Sequence, residues 1–186
     1  MRRLGMLVVL AAGLLVSACG GSSGGGGGSS ADPVGAVNLL VNTMVAKQWD
    51  KIPAQLCSAK RDELAPKYDI TKALSAVPSR VDIGSILQSM TLGVKDLAVT
   101  QKSVSGDSAV VTVKGTLTTS LPDDKLREYV KAILAAGGQT PTDAQVDQFV
   151  VVAKDQFTKG RPIAADVDVV KEGSAWLVCG DFTAGA

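Results

Sequence analysis

Few side chains in this 186-residue sequence could do acid–base or nucleophilic chemistry, and the missing types narrow the field. There is no His, which removes the commonest metal ligand, any Ser-His or Cys-His pair, and the usual switch near neutral pH. An enclosed acid or base would have to come from Asp166, Asp168 or Asp181, with Tyr68 or Tyr129 as proton donor. Asp166 and Asp168 alternate with Ile163, Ala165, Val167 and Val169. The period of two therefore puts both acids on the water-facing side of a strand. Asp181, close to the chain end, reads as a surface acid. No carboxylate pair, nucleophile elbow or cofactor loop is present. The run Gly20–Ser30 has no strand before it and no Lys-Ser/Thr after it, so it is not a phosphate cradle. The expectation is a non-enzymatic chain with no catalytic residues, no cofactor and no metal.

Composition bounds the rest. Hydrophobic residues make up 46% of the chain, enough for a packed core, while aromatics at 4% leave that core to Val, Leu, Ile and Ala. Nineteen basic against eighteen acidic residues give no electrostatic footprint for nucleic acid.

The amino terminus reads as an address. Arg2 and Arg3 precede Leu4–Val16, thirteen uncharged and largely apolar residues. At about 1.5 Å per residue that stretch cannot cross a hydrocarbon core of about 30 Å, but it suits the apolar region of a signal peptide. Val16-Ser17-Ala18-Cys19 follows and resembles the bacterial lipobox: an aliphatic residue, two small residues and a Cys. The resemblance implies a diacylglyceryl group on Cys19, cleavage after Ala18, and a new amine that can take an acyl chain such as palmitate. The other reading is an ordinary secretory peptide with a chance Cys. Gly20 to Ser30 contains only Gly and Ser. Such a run is a random-coil tether with a span of roughly 18 Å. Cleavage would remove two basic residues and no acid, leaving a side-chain charge of −1 and no polybasic help for membrane attachment. The expected organisation is a lipoprotein signal peptide over 1–18, lipidated Cys19 and tether over 19–31, and one domain over 32–186. It places the chain on the extracytoplasmic face of a cell membrane.

With Cys19 assigned to lipid, Cys57 and Cys179 remain. An exported chain folds where disulfides persist, and two thiols allow one pairing. The alternative is two buried free thiols in the apolar settings of Leu56-Cys57 and Val178-Cys179.

Helices come first and strands last. Asp32-Pro33 opens a helix predicted over 33–47, with Val34, Val37, Val41, Met44 and Val45 on one face. Asp50 is expected to cap a second helix carrying Ile52, Leu56 and Cys57, continuing through Ala59–Leu64 before Pro66. A short helix with Ile83, Ile86, Leu87 and Met90, capped by Asp82, ends near Gly93. The period then switches to two. A hairpin is predicted over 94–104 and 109–119, and a second has Ile163–Val169 on one strand and Trp176, Val178 and Phe182 on the other. Between them an insertion over 121–160 carries two amphipathic helices, one with Leu126, Tyr129, Val130, Ile133 and Leu134, the other with Val146, Phe149, Val150 and Phe157. Their apolar faces fit packing against the sheet or a lid over a cavity. Trp49 and Trp176 read as core anchors, and Lys60-Arg61 and Lys67 as solvated charges.

This order predicts an α+β domain, N-terminal helices packed on a curved antiparallel sheet, with a two-helix insertion between hairpins. The order of elements, together with Ala36-Val37-Asn38-Leu39-Leu40, Trp49-Asp50 and Trp176-Leu177-Val178-Cys179-Gly180-Asp181-Phe182, resembles small exported lipoproteins carrying a nuclear-transport-factor-two-like (cystatin-like) domain. The likeness covers roughly 33–119 and 161–183, and the insertion departs from it. It implies a cone of sheet wrapped around the first helix, with an apolar pocket. The leading expectation is a membrane-anchored lipoprotein whose domain binds an envelope protein or an apolar small molecule. A lipid or lipophile carrier using the cone is the second reading, and an isomerase-like or hydrolytic enzyme of the same fold is the third.

Overall fold

A computed structural model of the chain describes residues 30–69, 83–136, 138 and 140–182. The leader, Cys19, the tether up to Ser29 and the Asp82 cap lie outside the described residues. Helix α1 (Pro33–Val45) begins as the sequence predicts: Asp32 accepts a hydrogen bond from the Gly35 amide at 2.7 Å, and Pro33 sits in the first turn. A 3-10 helix (Trp49–Gln55), α2 (Arg61–Tyr68) and α3 (Ile83–Ser89) follow. Next come strands β1 (Thr91–Ser105) and β2 (Ser108–Ser120), helices α4 (Asp123–Ala136) and α5 (Asp143–Lys159), then β3 (Arg161–Glu172) and β4 (Ala175–Val178).

The four strands form one antiparallel sheet in the order β1-β2-β3-β4, curled into a half-barrel. The β1–β2 register shifts twice, between Lys95 and Ala98 and between Gln101 and Ser103. Bulges of this kind bend and twist a strand, and Asp96 takes a positive φ of 52° at the first. The concave face holds Ala109, Val111 and Val113 of β2, Ile163, Val167 and Val169 of β3, and Trp176 and Val178 of β4. Against it α1 lays Ala36, Val37, Leu40 and Val41, touching all four strands. This is the predicted α+β cone, with the two-helix insertion between its hairpins.

The second helix is not as predicted. Helical structure stops at Gln55, and Leu56 takes extended backbone and forms a parallel bridge with Val178. The Cys57 amide donates to the Val178 carbonyl at 2.9 Å. The edge of β4 has backbone groups to satisfy, and pairing with it buries Leu56 and Cys57 almost completely. A helix there would leave that edge bare. The helical continuation is instead α2, which runs through Pro66 because its last residue, Tyr68, is anchored in the core. At the other flank Ser30, expected as tether, is bridged to Trp176, so the described fold starts two residues before position 32.

The insertion helices pack on each other, and α5 also lies against β2. Leu126, Val130 and Val146 form a cluster separate from the main core, joined by Tyr129, Leu134, Val150 and Phe157. Thr142 and Gln145 close a reciprocal capping box at the start of α5. Gly160 ends it at a φ of 70°, where a Cβ would meet the Leu117 carbonyl oxygen at 2.6 Å. Only Gly fits that turn into β3. Phe149 of α5 is half exposed rather than packed inward, as are Val152 and Ile133.

Candidate ligand cavity

A cavity of about 200 Å³ opens at one end of the sheet. Its walls follow from the register. Val94, Leu117 and Arg161 form one row across β1, β2 and β3, with Leu92 and Thr119 on one side of it and Ile163 on the other. The C-terminal half of α1 supplies Val41, Met44 and Val45, and Trp49 stands beside them. Lys67 and Tyr68 at the end of α2, with Phe182 from the chain's last described residues, complete the wall. The lining is therefore mostly aliphatic and aromatic, with two cationic side chains and no carboxylate among the described residues.

Tyr68 belongs to the structure more than to chemistry. Its hydroxyl donates to the Gly180 carbonyl at 2.7 Å and accepts from the Phe182 amide at 3.3 Å. Its ring sits 5.2 Å from that of Phe182. Burial pushes its phenol well above the ordinary value, the Phe182 amide opposes this, and the nearby Asp181 charge adds to the rise. A phenol so buried, with its proton committed to a carbonyl, is a poor general acid near neutral pH.

The other acid–base candidates are scattered. Asp166 is exposed on the convex face, bonded to Lys102 and to Thr112 Oγ1, and the Lys102 ammonium holds its carboxyl below the usual range. Asp168 is also exposed, and its carbonyl accepts from the Cys179 amide at 2.7 Å. Both acids face water, as their alternation requires. Asp181 is less superficial than expected: only 14% of its side chain is exposed, and it lies 4.0 Å from the Lys67 ammonium. Tyr129 is in the insertion cluster, 6.4 Å from Phe157 between ring centres, and lines no part of the cavity. Among the described residues no group of three or more His, Cys, Asp or Glu side chains could hold a metal ion, and no helix is long and apolar enough to cross a membrane.

Cys57 and Cys179 are together. Their sulfurs are bonded and their Cα atoms lie 5.3 Å apart, inside the span a disulfide requires. The bridge comes from an extended segment beside β4 rather than from a helix, and it ties that segment to the residues leading into Phe182.

Three wall residues do more than their sequence context shows. Trp49 and Trp176 both pack in the main core as expected, Trp176 buried and Trp49 half buried with a face on the cavity. Lys67 is exposed, as expected of a solvated charge. Its ammonium does bind Glu63 at 3.1 Å, yet the side chain also lines the cavity. Arg161 was not singled out. One more step of the Ile163–Val169 alternation places it on the concave face, and that signal was available. No insertion residue lines the cavity, so the described α4 and α5 do not form a lid over it. No family model matches the chain, and the curated proteins contain no match to it.

Proposed function

We propose that this chain is a membrane-anchored extracytoplasmic lipoprotein, acylated at Cys19, whose cone-shaped domain, akin to the nuclear-transport-factor-two-like group, binds a small apolar molecule without transforming it. The cavity carries this reading. Apolar walls with a few placed polar groups are the usual make-up of a small-molecule site, and 200 Å³ exceeds the roughly 150 Å³ that accommodates benzene in an apolar core. That volume suits a single ring or a short chain better than a two-chain lipid, which weighs against bulk lipid carriage. The lack of a carboxylate in the described lining, and the committed Tyr68 proton, weigh against an isomerase-like reaction. The disulfide fits a domain folded in an oxidising compartment.

The position of Ser30 fits this reading. The Ser30 carbonyl accepts from the Trp176 amide at 3.0 Å, next to the β3–β4 turn. Arg161, at the cavity, begins β3 at its other end, about 30 Å away along the strand. An anchor leaving at Ser30 would hold the cavity end outward, toward soluble ligands. Native mass spectrometry of protein released from its own membrane tests the reading. A retained adduct the size of a single ring or short chain is expected. Protein that never carries one, and takes up no small lipophile offered to it, would overturn the reading and leave an envelope protein as the partner to seek.

A further inference from the structure

We infer that the cavity takes an uncharged single-ring aromatic bearing one hydrogen-bonding oxygen, phenols being the chemical class. The inference rests on the small-molecule reading above and gives it a ligand class. Charge is the first constraint. The Lys67 ammonium stands between the Glu63 and Asp181 carboxylates, and Arg161 is engaged as well. The rim therefore offers no surplus charge to an ion, and moving an ion from water to an apolar wall without a partner is costly. The ring follows from the make-up of the wall. The chain has only two Trp, two Tyr and three Phe, and one of each, Trp49, Tyr68 and Phe182, lines this cavity. Aromatic rings meet in offset or edge-to-face contact and gain beyond the area they bury, and the Met44 thioether is a further favourable neighbour for a ring. The cavity exceeds the roughly 150 Å³ that accommodates benzene by about 50 Å³, room for a methyl and a hydroxyl group. The oxygen answers two uncommitted groups. Thr119 lies two residues beyond Leu117 on β2, on the same face, and lines the cavity with Trp49. Neither its hydroxyl nor the Trp49 indole N–H has a hydrogen-bond partner among the described residues. An indole N–H only donates, whereas a hydroxyl donates or accepts. A phenol oxygen can accept from either group, and its proton can go to Thr119. The Tyr68 hydroxyl cannot serve, being committed on both sides. A phenol is also un-ionised near neutral pH, as a tyrosine side chain is.

The test uses the mature chain, residues 19–186 with Cys19→Ser so that no acyl chain competes, and follows backbone amide shifts near neutral pH. Toluene, p-cresol and p-toluate are titrated in parallel. They share a ring and a methyl group and differ only in carrying nothing more, a hydroxyl or a carboxylate. p-Cresol is expected to bind about fivefold more tightly than toluene, the worth of one net hydrogen bond, and p-toluate the most weakly. Thr119→Val, an isosteric change, should lower that preference. A Trp49→Phe/Thr119→Val chain that still melts cooperatively should lose it while toluene still binds. Val45→Phe, which fills the cavity, should weaken toluene and p-cresol alike. Equal binding of toluene and p-cresol, or p-toluate binding as tightly as p-cresol, would overturn the inference and leave the cavity reading standing. A hydroxyl preference untouched by Thr119→Val and by the double substitution would overturn it too, since the oxygen would then sit elsewhere. p-Cresol binding unaffected by Val45→Phe would place the ring outside the cavity and overturn the inference. No binding of any probe at millimolar concentration would overturn both readings.

Discussion

Removing the Cys57–Cys179 bridge should destabilise this domain by several kcal/mol, because the bond closes a loop over most of the described chain. The two cysteines are 122 residues apart in sequence. The chain-entropy relation for a loop of that size gives about 5 kcal/mol at 25 °C, and native bridges removed from small exported domains cost about 2–5 kcal/mol. The folded side of the balance changes little, because the Cys57 amide to Val178 carbonyl bond and the Leu56–Val178 bridge do not depend on sulfur. The expected loss is therefore near 3 kcal/mol. With a urea dependence of roughly 2 kcal/mol per molar, the unfolding midpoint should fall by about 1.5 M. The assay is urea unfolding of three samples: oxidised wild type, wild type under reductant, and Cys57→Ala/Cys179→Ala. The reduced wild type separates the bridge from the small void that Ala leaves at the buried Cys57 position, a loss of about 1 kcal/mol at most. Coincident midpoints for oxidised and reduced wild type would refute the reasoning, since the long loop would then carry no entropic weight.

Further outcomes can be stated briefly. Tyr68→Phe strips the Gly180 carbonyl and the Phe182 amide of a buried partner and should cost about 1–3 kcal/mol in the same urea assay. The raised phenol pKa means that the folded state holds its proton longer than the unfolded chain. Wild-type stability should therefore be full below pH 10 and fall above it, and the fall should be shallower in Tyr68→Phe. Cys19→Ser should abolish partitioning into membranes and detergent and leave the precursor uncleaved at Ala18. Equal membrane association of the mutant would remove the lipid anchor from the proposal. Replacing residues 121–159 with a short Gly-Ser loop should leave a soluble, cooperatively melting domain, because Leu117 already pairs with Arg161 and the insertion has its own apolar cluster. Aggregation of that chain would show the helices to be shielding the sheet.

What could be read from the sequence was whatever repeats with a short period. Alternation in Ile163–Val169 separated the inward face from the water-facing one correctly, because a strand's side chains have no third direction to take. The Asp32-Pro33 cap marked the start of α1 for an equally local reason. Leu56-Cys57 failed because a short apolar run fits a helix or a strand equally well. The decision belonged to the edge of β4, more than a hundred residues away. The cavity was harder still. It arises where the Val94–Leu117–Arg161 row meets the end of α1, and no local pattern reports a gap between elements. Tyr68 illustrates the same limit: its role is set by Gly180 and Phe182, 112 and 114 residues on.

The sheet is finished differently at its two ends, and this links stability to the site. Toward the β3–β4 turn the chain is closed by pairings, with Ser30 against Trp176 and the Ser58 amide and hydroxyl both donating to Glu172 Oε1. Toward the start of β3 the backbone is satisfied, but the side chains do not meet. Phe182 is the wall there that no strand or helix carries, since it lies past the end of β4. Two clasps keep it in place: the disulfide three residues upstream, and the Tyr68 hydroxyl that accepts its amide. Both join the segment after the 3-10 helix to the chain's final residues. The bridge therefore limits the freedom of the unfolded chain and, in the folded one, fixes the position of a cavity wall. A pocket left open by packing keeps its shape only if its least supported wall is tied down, and here the tie is covalent.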